Sequence, residues 1–332
     1  MKATFILGAG ASKNANMPLV RDFSSPEYFR ILTKGWEDAG YKEIPRYEQA
    51  IDLCARIQKS GLNFEEYLAR CYYEDEKQYV QLIDFYQKTL AAGETYAGMF
   101  TNPKTGYIYA FYYLSFAWLL QNHFQKPTVI SFNHDLFFEI SCQWDHFHYG
   151  SMSDISTGIG GVVIDVSKDK VFFNKNNNIE LLKLHGSFNF LFCKNCNGIL
   201  VGQDYNWHMQ DYFQCTECGG PTHAYYVPPL KQKNVTKYEM IWQDAATALQ
   251  QTEILFVIGY SMPAYDEAAQ ELLKKHLNPD AVVVILDKFA SSTVNNYAFL
   301  NNTEVLYADL EFEAALDIWT EGNLVNHLQK RL

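Results

Sequence analysis

The chain has 332 residues, 48% of them apolar and 20% charged, which describes a folded protein of one large domain or two ordinary ones and excludes disorder. A formal net charge of −11 repels a phosphate backbone, so general nucleic-acid binding is not expected. Seven cysteines, an odd number, together with an N-terminal apolar run too short for an export signal, exclude a disulfide framework and point to a cytoplasmic setting.

In chain order, Phe5-Ile6-Leu7 reads as a buried strand that breaks at once into Gly8-Ala9-Gly10-Ala11-Ser12. Such a turn lets backbone N–H groups approach a phosphate. The third glycine of the G-x-G-x-x-G fingerprint is absent, so taken alone the turn is as readily a structural one. Residues 24–127 carry helical patterns from Pro26 and over 47–59, 64–73, 76–90 and 107–124, with Gly61, Gly93 and Pro103 as punctuation. Asn63 and Glu66 form a capping-box-like start to the third of these. The block holds no convincing strand and is expected to be a helical insertion whose aromatics are core. Its longest uncharged stretch, 105–125, is interrupted by Gly106, Gln121, Asn122 and His123, and reads as a core helix and not a membrane span.

Thr128 to Phe132 is a short β-branched run ending in Asn133-His134-Asp135, with a helix expected over 136–144. Polar residues at the carboxyl end of a strand lie where open α/β sheets bind ligands. Asn133 or Asp135 could equally cap the helix, and the residues alone leave both readings open. Residues 150–161 are loop-like and 162–173 suggest a hairpin or edge strands. Ile179 to Leu184 runs into His185-Gly186-Ser187; a lone histidine is more often structural, but the neighbouring glycine leaves the ring unshielded.

Cys193, Cys196, Cys215 and Cys218 form two Cys-x-x-Cys pairs with eighteen residues between them, the spacing of a zinc ribbon. A four-thiolate site has no open coordination position, so the expected Zn²⁺ is structural. A helix with Ile241, Ala245 and Leu249 on one face follows, then a buried strand over 254–258 that ends in Gly259-Tyr260-Ser261. The next helix spans 263–276 with Asp266 in its first turn, and a strand over 281–286 ends in Asp287, either a ribose acceptor or a solvated turn residue. Residues 305–307 suggest a last strand and 312–332 an amphipathic helix.

Strand ends carrying Gly8-Ala9-Gly10, Asn133-His134-Asp135, His185-Gly186-Ser187, Gly259-Tyr260-Ser261 and Asp287, in that order and with a zinc ribbon after the histidine, resemble the sirtuin-like superfamily of NAD-consuming enzymes. The resemblance implies an α/β chain: a Rossmann-like parallel sheet from 1–23, 128–190 and 228–332, a helical insertion at 24–127 and a small zinc-ribbon module at 191–227. It implies that Gly8, Ala9, Gly10 and Ser12 cradle the pyrophosphate of NAD, with Gly259 and Ser261 as the second phosphate-side turn and Asp287 at the adenosine ribose. Asn133 would hold the nicotinamide ribose or a water, Asp135 would support that loop, and His185 would act as general base. Cys193, Cys196, Cys215 and Cys218 match the family's zinc ribbon.

Two departures bear on the substrate. Protein deacylases of the family pair a peptide with a strand after the ribbon, whereas here Tyr225-Tyr226-Val227-Pro228-Pro229-Leu230 places two prolines that cannot donate ladder bonds. Pro18-Leu19-Val20-Arg21-Asp22-Phe23 departs from the family's proline-aspartate-phenylalanine-arginine order, which leaves roles for Arg21 and Phe23 open. These variants resemble the bacterial branch associated with NAD depletion in antiphage defence. The resemblance therefore implies an NAD⁺ glycohydrolase. Its alternatives are an NAD-dependent deacylase or ADP-ribosyltransferase, and a non-catalytic module that binds NAD or ADP-ribose. A protein partner or trigger is expected at the helical insertion, and no membrane partner.

Overall fold

The computed structural model describes residues 2–38, 47–99, 110–142, 147–148, 162–164, 170–172, 179–193, 195–196, 199–202, 214–215, 218–226, 239–264, 266–301 and 303–330. By contacts the chain divides into two units, one of Met1–Asn14, Phe111–Val227 and Asn234–Leu332, the other built on Ala15–Ala110.

The first unit holds an eight-stranded sheet of β1 (Ala3–Leu7), β2 (Thr128–Ser131), β3 (Phe147–His148), β6 (Ile179–Lys183), β10 (Ile254–Ile258), β11 (Val282–Asp287), β12 (Glu304–Asp309) and β13 (Gln329–Lys330). Its order is β13-β12-β11-β10-β1-β2-β6-β3, and every pairing is parallel except that of β12 with β13. Parallel strands covered on both faces need unbroken apolar runs, and all five residues of β1 and all four of β2 are buried. The chain starts in the middle at β1, moves outward through β2 and β6, then returns to β10 on the other side of β1. The order therefore reverses between β1 and β10, where doubly wound sheets open their ligand crevice.

Register aligns the strand ends. Leu7 pairs with Ser131 and Ile258, Ser131 with Lys183, Ile258 with Leu286, and Leu286 with Ala308, one row across six strands. Gly8, Asn133, His185, Gly259 and Asp287 all lie one or two residues past that row.

On one face of the sheet Phe5 stacks on Phe256 at 5.1 Å, with the edges of Phe116 and Phe124 at 5.6 and 5.1 Å and Trp319 over Phe256 at 4.4 Å. Phe5, Phe116 and Phe256 are buried, and a buried ring of this size contributes about 1.5–3 kcal/mol. This cluster places α5 (Tyr112–His123) and α10 (Phe312–Thr320) against the sheet. Among the described residues the other α-helices of this unit are α6 (Phe137–Ser141), α7 (Glu239–Gln250), α8 (Glu267–His276) and the short α9 (Ala290–Thr293). A second, five-stranded sheet of β4 (Val162–Ile164), β5 (Lys170–Phe172), β7 (Gly186–Cys193), β8 (Ile199–Gly202) and β9 (Thr222–Tyr226) has the order β5-β4-β8-β7-β9. The expected hairpin is the antiparallel β4–β5 pair.

The second unit is helical: α1 (Pro26–Asp38), α2 (Tyr47–Ser60), α3 (Phe64–Glu74) and α4 (Glu76–Met99). The capping box forms as expected: Glu66 N–H donates to Asn63 Oδ1 and Asn63 N–H to Glu66 Oε2, both at 2.9 Å. Tyr28, Phe29, Ala50 and Cys54 make its core, with Phe85 against them.

Two expectations are corrected. Gly93 does not punctuate α4, which runs through it; a Cβ there would meet Tyr28 Oη at 3.1 Å and Met17 Sδ at 3.3 Å, so the glycine serves close packing. The C-terminal helix ends at Thr320. Asn323 N–H donates to Ile318 O and Gly322 N–H to Trp319 O, a Schellman stop with Gly322 at φ 76°, which frees the chain to return as β13. Pro103, the 150–161 loop, and Val227 to Leu230 with their two prolines lie outside the described residues. Among the described residues no helix is long and apolar enough to cross a membrane.

Candidate functional site

The two glycine turns meet at the reversal of strand order. Gly8 N–H donates to Ile258 O at 3.0 Å and Gly10 N–H to Gly259 O at 2.8 Å. A Cβ on Gly259, at φ 61°, would lie 2.0 Å from Ala11 N, and one on Gly8 2.6 Å from Gly259 O. Only glycine permits this approach of backbone to backbone. Ala11 N–H is likewise committed, to Gly8 O at 2.9 Å, so the lip left open is Ala9, exposed, with Gly10 half-buried beside it.

Ser12 is the hub beneath the turn. Its hydroxyl donates to Asp135 Oδ2 at 2.8 Å and accepts from Asn133 Nδ2 at 3.2 Å, and Tyr113 Oη lies at 2.8 Å. One donor and two acceptors use the full capacity of a hydroxyl. Ser12 is 1% exposed, so its side chain is tied inside the loop and not offered to a phosphate, contrary to the sequence expectation. Asn133 Nδ2 also donates to Gly8 O at 2.9 Å. A carbonyl can only accept, which identifies that atom as the amide nitrogen and leaves Oδ1 as the acceptor of the carboxamide.

Asp135 is buried, and burial raises its pKa against the opposing pull of the Lys183 ammonium. Lys183, at the end of β6, donates to Asp135 O at 2.6 Å and pairs with Glu139 on α6 at 3.1 Å, both side chains essentially inaccessible. Glu139 is raised by burial, with Lys183 again opposing. Sequence reading missed this pair because its two residues sit in unremarkable strand and helix patterns.

His185 occupies the two-residue corner between β6 and β7, where the chain leaves one sheet for the other. His134 Nε2 donates to His185 O at 3.1 Å and Ser187 Oγ to His134 O at 3.3 Å, lacing the loop of Asn133 to the loop of His185. The His185 ring stands edge-on to Phe132 at 4.9 Å, and Phe132 stacks on Tyr260 at 4.4 Å. Its Nε2 faces Asp266 Oδ2 at 3.7 Å, although β6 and β10 are separated in the sheet by β2 and β1. Asp266 had no sequence signal beyond a helix start.

Two expected residues stand farther along the row. Ser261 is exposed, and its carbonyl accepts from Asn296 Nδ2 at 2.7 Å. Asp287 Oδ1 accepts from Phe289 N–H at 2.8 Å in an Asx turn, and burial raises its pKa.

The four cysteines cluster as expected: their sulfurs all lie within 4.8 Å of one another, with Cys193–Cys218 at 3.5 Å and Cys196–Cys215 at 3.6 Å. Sulfurs on a tetrahedral Zn²⁺ stand about 3.8 Å apart, whereas a disulfide needs about 2.05 Å. Backbone N–H groups, that of Cys196 foremost, bring the Cys193 thiol down to about 7, favouring the thiolate a metal needs. Gly219 N–H donates to Cys215 O with Gly219 at φ 69°, closing the second knuckle. The four thiols can hold a structural zinc.

No protein-family profile matches the sequence, and a search of curated proteins found no relative. Among solved structures, a mutant Sir2 homologue in complex with 2'-O-acetyl ADP ribose matches with a TM-score of 0.50 at 12% identity, over 98% of this chain and 92% of that one. The fold is that of Sir2 homologues. A Sir2 homologue–NAD complex matches with a TM-score of 0.48 at 12% identity, over 98% and 89% of the two chains. Sir2Tm bound to a propionylated peptide matches at 0.45 and 13%, over 97% and 94%. At such identities the likeness concerns the sirtuin-like fold, and the roles of individual residues rest on the geometry above.

Proposed function

We propose that this chain binds NAD⁺ at the carboxyl ends of its parallel strands and cleaves it to nicotinamide and ADP-ribose. The observation that carries the reading is the lacing of the Asn133 and His185 loops at one level past the same row of the sheet, beside the reversal of strand order. The pyrophosphate lies against the open lip of Ala9 and Gly10, with Gly8 and Gly259 keeping the two turns in contact and Ser261 beside them. Asp287 accepts from the adenosine ribose through the oxygen not used in its Asx turn.

At the other ribose the C1′–N bond breaks with its electron pair leaving on neutral nicotinamide, so no acid is needed for departure. Asn133 Oδ1 accepts from the attacking water and orients it; His185 takes the proton as the water oxygen bonds to C1′. Asp135 acts through Ser12, which holds the carboxamide. The branch associated with antiphage defence is the biological setting this activity suits, with a trigger acting at the helical unit.

The edge position of β9 in the five-stranded sheet favours a second reading, in which an acyl-peptide adds a strand there and the enzyme is a deacylase or ADP-ribosyltransferase. One experiment separates the two: mass spectrometry of NAD⁺ incubated with the protein, with and without an acyl-lysine peptide. Free ADP-ribose without peptide, abolished in Asn133→Ala and His185→Ala, is the expected result. Unaltered NAD⁺ in the absence of peptide and acetylated ADP-ribose in its presence would replace the first reading by the second.

A further inference from the structure

We infer that Asp266 is a positioning residue for His185, setting its tautomer and basicity; the catalytic consequence rests on the reading of His185 as the base. An aspartate at the start of a helix ordinarily caps it. Asp266 occupies the N-cap position of α8, yet its side chain makes no capping bond there. It turns inward instead, is 2% exposed, and accepts from Tyr260 Oη at 2.7 Å while facing His185 Nε2 at 3.7 Å.

The backbone is shaped for that inward turn. Between β10 and α8 the chain passes through Gly259 at φ 61° and Met262 at φ 49°, a conformation that an L side chain rarely adopts. Asp266 N–H donates to Pro263 O at 2.9 Å and its carbonyl accepts from Gln270 N–H at 3.1 Å, so both of its own backbone groups are engaged. Tyr260 in turn is clamped by Phe132 on its face and by the Tyr297 hydroxyl on its carbonyl.

A carboxylate opposite Nε2 draws the ring proton to that nitrogen and leaves Nδ1 with the lone pair. When His185 takes a proton from water or a ribose hydroxyl onto Nδ1, the imidazolium so formed stands against a negative charge in a dry site. Nearby polar side chains make contacts of their own. His134 uses its Nε2 on the His185 carbonyl, the Tyr260 phenol donates to Asp266, and Lys183 is engaged by Glu139 and the Asp135 carbonyl.

The test uses the full chain with ¹⁵N-labelled histidine, the His185 signals being assigned by their loss in His185→Gln. In the wild type Nε2 is expected to carry the proton of the neutral ring. In Asp266→Asn the His185 midpoint falls by about one pH unit or more, and in Asp266→Glu it stays near the wild-type value. Nicotinamide release in Asp266→Asn falls about 100-fold in kcat with KM little changed, and the acid limb of its pH profile moves to lower pH. Should Asp266→Asn not fold, Tyr260→Phe decides: stripping the hydroxyl from the carboxylate moves the His185 midpoint up. A His185 titration indifferent to Asp266→Asn, or to Tyr260→Phe in its place, overturns the inference. A wild type that leaves NAD⁺ intact would instead sink the glycohydrolase reading, and the titration would still decide the part played by Asp266.

Discussion

Ser12 shows how far a residue's type can mislead about its use. A small hydroxyl after a glycine turn suggests a phosphate ligand, yet every bonding direction of this one is taken by Asp135, Asn133 and Tyr113. The cost of the arrangement falls on Asp135, whose charge is buried. Its pKa is raised in the folded state, so the native chain binds the proton more readily than the unfolded one. The stability it contributes is present below the ordinary aspartate range and lost as pH rises through the raised value. Asp135→Asn is therefore expected to raise Tm at pH 7, by about 2–4 °C for each kcal/mol recovered, and to flatten the fall in stability above pH 4, while slowing nicotinamide release. Thermal denaturation across pH, followed by circular dichroism, checks the first two. A lowered Tm at pH 7 would show that the charge stabilises the loop.

Between elements, the buried Lys183–Glu139 pair joins the end of β6 to α6, and through the Asp135 carbonyl reaches the loop after β2. Two charges in so dry a place stabilise little as a pair, but removing one strands the other. Lys183→Met is expected to cost about 3–5 kcal/mol in urea unfolding, and Lys183→Met with Glu139→Leu to recover most of that loss. Additive losses would mean the two side chains act independently. Helix and strand existence was largely legible along the chain, because apolar runs, the Asn63–Glu66 box and the glycine turns are local signals. The end of α10 was not, since the amphipathic pattern continues past Gly322 and only the Schellman bonds reveal the stop.

At the scale of the whole molecule, the corner at His185 hands the chain from the parallel sheet to the five-stranded sheet that carries the cysteine knuckles. Because each knuckle holds two ligands, and among the described residues the apolar cluster beneath them is only Leu191 with Cys193 and Cys215, metal binding there is folding energy. Purified protein is expected to contain about one zinc per chain by mass spectrometry, and Cys215→Ser to lose it with a lower Tm. Full zinc content in that variant would exclude the four-thiolate site.

The sequence by itself determined the fold class, the cysteine set and the strand ends where a ligand is expected, because each is written in residues a few positions apart. It could not determine which side chains meet there. Ser12 finds Asp135 across 123 positions and Tyr113 across 101, and Asp266 reaches His185 over two intervening strands. Those meetings depend on the order and register of the parallel strands, which the identity of no single residue encodes, and on which carboxylates burial turns inward rather than leaving to cap a helix or face water.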